Sequence, residues 1–136
     1  MQSIIDAIKN KISGSTLETD VNGRIYLDEA DELTLPHCVW FVISAVPEKT
    51  FTEIFADVLI QFSIFSAKTA GVAEIANIYN DLKVLFDECS LTISDSTLVW
   101  MRETNLTTMI LPDTAPDGSS GIRAWHVDFE FKSSLN

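Results

Sequence analysis

The clearest pattern along the chain is a period of two in its middle and at its end. Val58, Ile60, Phe62 and Ile64 alternate with Asp57, Gln61 and Ser63 between residues 55 and 65, as expected of a half-buried antiparallel strand. Residues 122–131 repeat it: Trp125, Val127, Phe129 and Phe131 are assigned inward, and Ala124, His126, Asp128 and Glu130 outward. Residues 39–46, rich in β-branched and aromatic side chains and ending before Pro47, read as a strand covered on both faces. Residues 98–111 read as a further strand.

Helical spacing occupies two other stretches. Ile4, Ile5, Ile8 and Ile12 make one apolar stripe, started by Ser3 and stopped by Gly14. Residues 69–89 predict the main helix, with Val72, Ile75, Ala76, Tyr79, Leu82 and Phe86 toward a core and Glu74, Asn77, Asp81, Asp87 and Glu88 toward water. Residues 15–36 read as polar loop, apart from a short edge strand near Ile25, Tyr26 and Leu27. The order helix, strands, long helix, two strands predicts one α+β domain over residues 1–136. Its expected form is an antiparallel β-sheet with a short N-terminal and a long central helix packed on one face.

The connection over residues 112–121, dense in Pro, Asp, Gly and Ser, is expected to be a ten-residue loop. Two to five residues suffice to join adjacent antiparallel strands. The excess makes this loop a candidate assembly contact that is mobile in the free subunit, with Asp113, Asp117, Gly118 and Ser119 at the contact.

Charge narrows the functional classes. Twenty acidic residues against nine basic ones give a net charge of −11 over 136 residues. The bases are scattered, with no stripe to neutralise phosphates, so neither nucleic acid nor an anionic membrane is expected as partner. No stretch has the length of a membrane span, and the first residues lack a signal-peptide pattern.

The candidate chemistry is thin. His37 and His126 are the only histidines, and Cys38 and Cys89 the only cysteines, read as two buried free thiols. His37 and Cys38 are consecutive, so on a strand they point to opposite faces and make no Cys/His pair; His37 reads as a loop histidine. His126 and Asp128 read as a solvated pair. No zinc-ligand spacing exists, and neither the acids at 28–32 nor Asp113 and Asp117 follow a calcium-loop pattern. Catalytic residues, metal and cofactor are all expected to be none.

The run of residues 55–66 (FADVLIQFSIFS), preceded by Pro36 to Val42 and followed by a helix from Gly71 and a last strand ending WHVDFEF, is similar to the tail terminator (tail completion) proteins of long-tailed bacteriophages and prophages. The resemblance spans residues 1–132. It implies a non-enzymatic structural subunit of the virion tail, assembled in the host bacterial cytoplasm. Such a subunit forms a hexameric ring on the tail tube, ends tube polymerisation and presents a joining surface to the head–tail connector. Its implied partners are copies of itself, the tail tube protein and the connector protein. Six copies would carry about −66, a field that keeps passing DNA from sticking. Two alternatives stand beside this: another head–tail joining or minor tail protein, and an unrelated small-molecule-binding or enzymatic α+β domain.

Overall fold

The computed structural model describes residues 2–31, 34–49, 54–114 and 120–135. Two α-helices open the chain, α1 (Gln2–Ile12) and α2 (Thr16–Asp20), followed by strands β1 (Ile25–Leu27), β2 (His37–Lys49) and β3 (Ile54–Ala67). A 3-10 turn (Lys68–Ala70) leads into α3 (Val72–Phe86), and β4 (Ser96–Thr114) and β5 (Ser120–Leu135) close the chain. The strands form one five-stranded sheet in the order β1-β2-β3-β5-β4.

Alternation placed the centre of this sheet correctly. Val58, Ile60, Phe62 and Ile64 of β3 and Val127, Phe129 and Phe131 of β5 are buried, and cross-strand register sets Val58 against Phe131 and Ile60 against Phe129. From β2, Trp40 stacks on Phe62 at 5.9 Å between ring centroids. Phe86 of α3 lies 5.1 Å from Phe62 and 6.0 Å from Phe129, which sets the end of the long helix against this face. Ile4, Ile8 and Ile12 of α1 and Leu17 of α2 belong to the same buried cluster. These large side chains bury enough apolar area to dominate the fold's stability.

Several expectations need correction. The sheet is mixed, because β1 pairs parallel with β2 through Ile25↔Cys38, Tyr26↔Val39 and Leu27↔Trp40. β2 runs through Pro47 to Lys49, with Pro47 opposite Ala56. β1 covers β2 only as far as Trp40, so Pro47 sits in an edge stretch where a missing N–H is tolerated. The polar segment holds a second helix: Ser15 caps α2, accepting the Glu18 N–H at 3.2 Å, while Glu18 Oε1 takes the Gly14 N–H at 3.3 Å.

The last hairpin also differs. Thr114 pairs with Ser120, so Pro112, Asp113, Ser120 and Gly121 are strand and not loop, and the expected ten-residue connection shrinks to residues 115–119. Gly121 has φ +92°, and a Cβ there would approach Lys68 Cδ to 2.8 Å, so glycine suits this strand end on both counts.

On α3, Ile75, Ile78, Leu82 and Phe86 are buried, but Val72 is 53% exposed. Three acids assigned to water have partners instead. Glu74 accepts from the Ser66 hydroxyl at 2.7 Å, Asp81 is hydrogen-bonded to Asp20, and Asp87 accepts the Glu103 N–H at 2.9 Å. Ala124, assigned outward, is fully buried between its register partners Phe65 and Met109.

Candidate functional site

His37 and Cys38 open β2 and point to opposite faces, as their adjacency requires. His37 pairs in register with Phe65, and Cys38 with Ile64. His37 is a buried strand residue, not a loop histidine. Its Nδ1 lies 3.2 Å from the Thr34 carbonyl and so donates there, and its ring stacks on Phe65 at 4.9 Å. Burial holds its pKa below the usual histidine value; the Thr34 contact opposes this and the Arg24 charge adds to it. Cys38 is wholly buried, which pushes its thiol up to about 12 and leaves it no thiolate for chemistry near neutral pH. Cys89 is half-buried, also raised by burial, and its Sγ sits 3.7 Å from Met101 Sδ. Both thiols are free.

His126 and Asp128 are not a solvated pair. Each bonds across to β3: His126 Nδ1 to Ser63 Oγ at 2.7 Å, and the Asp128 carboxylate to the Gln61 amide at 2.9 Å. A serine and a histidine in contact invite a nucleophile reading, but that needs a third group orienting the ring and a site for the reacting atom. His126 instead meets the edge of Phe65 at 6.3 Å, and Ser63 is 5% exposed. The arrangement is a polar ladder stitching β3 to β5.

Among the described residues no three His, Cys, Asp or Glu side chains come together in a way that could hold a metal ion. No helix there is long and apolar enough to cross a membrane. A depression of about 460 Å³ at one end of the sheet is lined by Thr34, Pro36, Ala67, Thr69 and Glu74, and its one charged group already binds Ser66. Of the proposed contact residues, Asp117, Gly118 and Ser119 lie outside the described residues, and Asp113 is described only as backbone of β4.

What the described residues do present is two sheet edges, each capped by other described residues over part of its length. β1 covers β2 at residues 38–40. On β4, the segment after α3 covers residues 97–103: the Glu88 N–H donates to the Met101 carbonyl at 2.8 Å, Asp87 takes the Glu103 N–H, and Thr92 bridges to Thr97. Beyond the caps, Ile43 (44%) and Val46 (56%) on β2, and Met109 (40%) and Ile110 (52%) on β4, are exposed. Pattern reading could not find these edges, because which strand lies outermost is fixed by tertiary order.

No family model matches the chain, and no curated protein matches it. Among solved structures, the chain is similar to one from the virion of a native gene transfer agent particle. The TM-score is 0.74 at 14% identity, over 95% of this chain and 92% of that one. A second solved structure, whose designation carries no function, gives a TM-score of 0.57 at 11% identity, over 96% of this chain and 94% of that one. At these identities the likeness establishes a shared fold across nearly the full length of both chains.

Proposed function

We propose that this chain is a structural protein of a tailed phage or phage-derived particle, acting as a tail terminator. In this reading a ring of six copies caps the tail tube, ends its polymerisation and offers the joining surface to the head connector. The observation that carries the reading is the fold match, over 95% of the chain, to a chain from a gene transfer agent virion. The element order on which the tail-terminator resemblance rests supports it independently. So do two partly uncapped sheet edges, which a ring would cover. The hairpin tip keeps its proposed role, with Asp113, Asp117, Gly118 and Ser119 touching a neighbouring subunit or the tube.

The test is electron microscopy of assembled particles, with the chain located by antibody or tag. A single ring of this protein between tube and connector is the expected result. Deleting its gene should leave tails of uncontrolled length that fail to join heads. Particles that contain the chain elsewhere would move it to another joining or minor tail role, and particles that lack it would end the reading.

A further inference from the structure

The open stretches of the two edges resemble each other in chemistry. Residues 41–47 of β2 and 104–111 of β4 contain no Asp, Glu, Lys or Arg, in a chain with 29 such residues and a net charge of −11. Copies of so acidic a protein repel one another, least of all where both surfaces are neutral. Edge strands are commonly guarded by charge, proline or bulges. Here β2 carries one bulge, at Ile43, and Pro47 at the far end of its open part, while on β4 the bulges at Leu98/Trp100 and Thr104 stand at or before the start of the open part, whose pairing with β5 runs unbroken from Asn105 to Leu111. Four of the eight large exposed apolar side chains among the described residues fall within these same stretches: Ile43 and Val46 on one, Met109 and Ile110 on the other.

Strand polarity fits as well. β2 is antiparallel to β3, β3 to β5 and β5 to β4, so β4 runs opposite to β2. Two copies placed side by side in the same orientation therefore bring β4 of one against β2 of the next as an antiparallel pair.

We propose that copies of this chain join head to tail through main-chain pairing of the open stretch of β4 (residues 104–111) with the open stretch of β2 (residues 41–47) of the next copy. This rests on the ring reading above and names its joint. The occupant is a second copy because one chain carries both complementary edges, each neutral, each capped up to the point where the other would begin to pair. Register also fixes the geometry. Phe41 and Asn105 are level, both being traced to Asp128 of β5, and from that level the two open stretches run in opposite directions along the sheet. Joined copies that set residues 41–47 against 106–111 are thus staggered by about six residues, on the order of 20 Å along the strands. A closed ring absorbs such a stagger by tilting its strands, as barrels do.

Val46 and Thr107 project from the same face and lie opposite each other at this stagger, since Val46 pairs with Asp57, Asp57 with Lys132, and Thr107 with His126, two even-numbered positions of β5 six residues apart. In a Cys89→Ser background, V46C and T107C variants are mixed at submillimolar concentration and oxidised. A 46–107 cross-linked dimer is expected from the mixture, a ladder of higher species from the V46C/T107C double variant, and neither from one single variant alone. Ile110→Lys should weaken self-association about tenfold or more by placing charge in the joint, whereas Val84→Lys, on α3 at an 82% exposed position, should leave it unchanged. Circular dichroism of each variant checks that it has folded. Absence of the mixed cross-link between folded variants overturns the proposal, as does homodimerisation of V46C alone, which marks a two-fold contact. Cross-linking within purified particles separates the two claims. If the chain sits at the tube end without a 46–107 link, the joint is wrong and the function stands; if the link forms but particles lack the chain, the reverse holds.

Discussion

Asp20 and Asp81 are two carboxyl groups in one hydrogen bond, which requires a proton between them. Burial and the neighbouring Asp81 raise the Asp20 pKa from 3.8 to about 6, and its Oδ2 is a buried atom without a partner among the described residues. The folded state therefore holds a proton that the unfolded state has released across that interval. Stability from this pair is present below pH 3.8 and is lost as pH rises through about 6. Asp20→Asn supplies a permanent N–H donor to Asp81 and removes the dependence. The melting temperature of the variant minus that of the wild type should grow from pH 4 to pH 7 and then level off. A flat difference would mean that the two groups do not share a proton. His37 and His126 make the complementary point: each was conspicuous in the sequence, and each is occupied in joining neighbouring backbone or strand.

At the scale of elements, α3 is tied to β4 by a small polar clamp. Tyr79 Oη donates to Glu103 Oε1 at 2.7 Å, Lys83 Nζ lies 3.4 Å from Glu103 Oε2, and the Glu103 N–H reaches Asp87. Burial, and then the Glu103 carboxylate, push the Tyr79 hydroxyl up to about 12, so it remains a donor at any physiological pH. Tyr79→Phe keeps the ring on Trp125 and removes only the O–H; urea unfolding should show a loss of about 1–2 kcal/mol. No loss would make the clamp incidental. β3 and β5 were legible in the sequence because each has one face on the core, and burial then writes a period of two. β1 was legible as a short strand but not as a parallel one, because nothing local in Ile25, Tyr26 and Leu27 records direction. α2 was missed although Ser15 and Glu18 form a capping pair; five residues give too little periodicity to register. The hairpin was read as too long because Pro112 and Gly121 are breakers in isolation, yet both fit at the outer ends of paired strands. With five residues left between Thr114 and Ser120, length no longer argues for a contact at the tip, and only an experiment can. Replacing residues 115–119 by Asn-Gly should leave the melting temperature within a few degrees and abolish tail completion. Wild-type completion by the shortened chain would show that the tip touches nothing needed.

At the scale of the whole molecule, charge sets what the assembled protein can touch. Twenty acidic residues are opposed by nine basic ones, and the fold spends several of the nine internally. Arg24 Nε donates to the Pro36 carbonyl at 3.0 Å, Arg102 lies 4.1 Å over the Trp100 ring, Lys132 4.9 Å over Phe55, and Lys83 faces Glu103. A protein binds duplex DNA mainly by setting several cations against phosphates and releasing counterions, with affinity that falls steeply as salt rises. Here the cations are scattered along the chain, these four engaged with a carbonyl, rings or a carboxylate, and all nine outnumbered more than two to one by carboxylates. A ring of such subunits would repel phosphate at every approach, which suits a passage that DNA must traverse without pausing. Fluorescence anisotropy with a labelled duplex should detect no binding at physiological salt, and lowering the salt should bring no sharp rise, because repulsion between like charges grows as screening falls. The same titration on the cross-linked V46C/T107C assembly separates a property of the subunit from one of the ring. Micromolar binding that weakens with a steep salt slope, in either form, would mean that the oligomer gathers its few cations into a surface the single chain does not have, and the ring could no longer be regarded as an inert wall around the DNA.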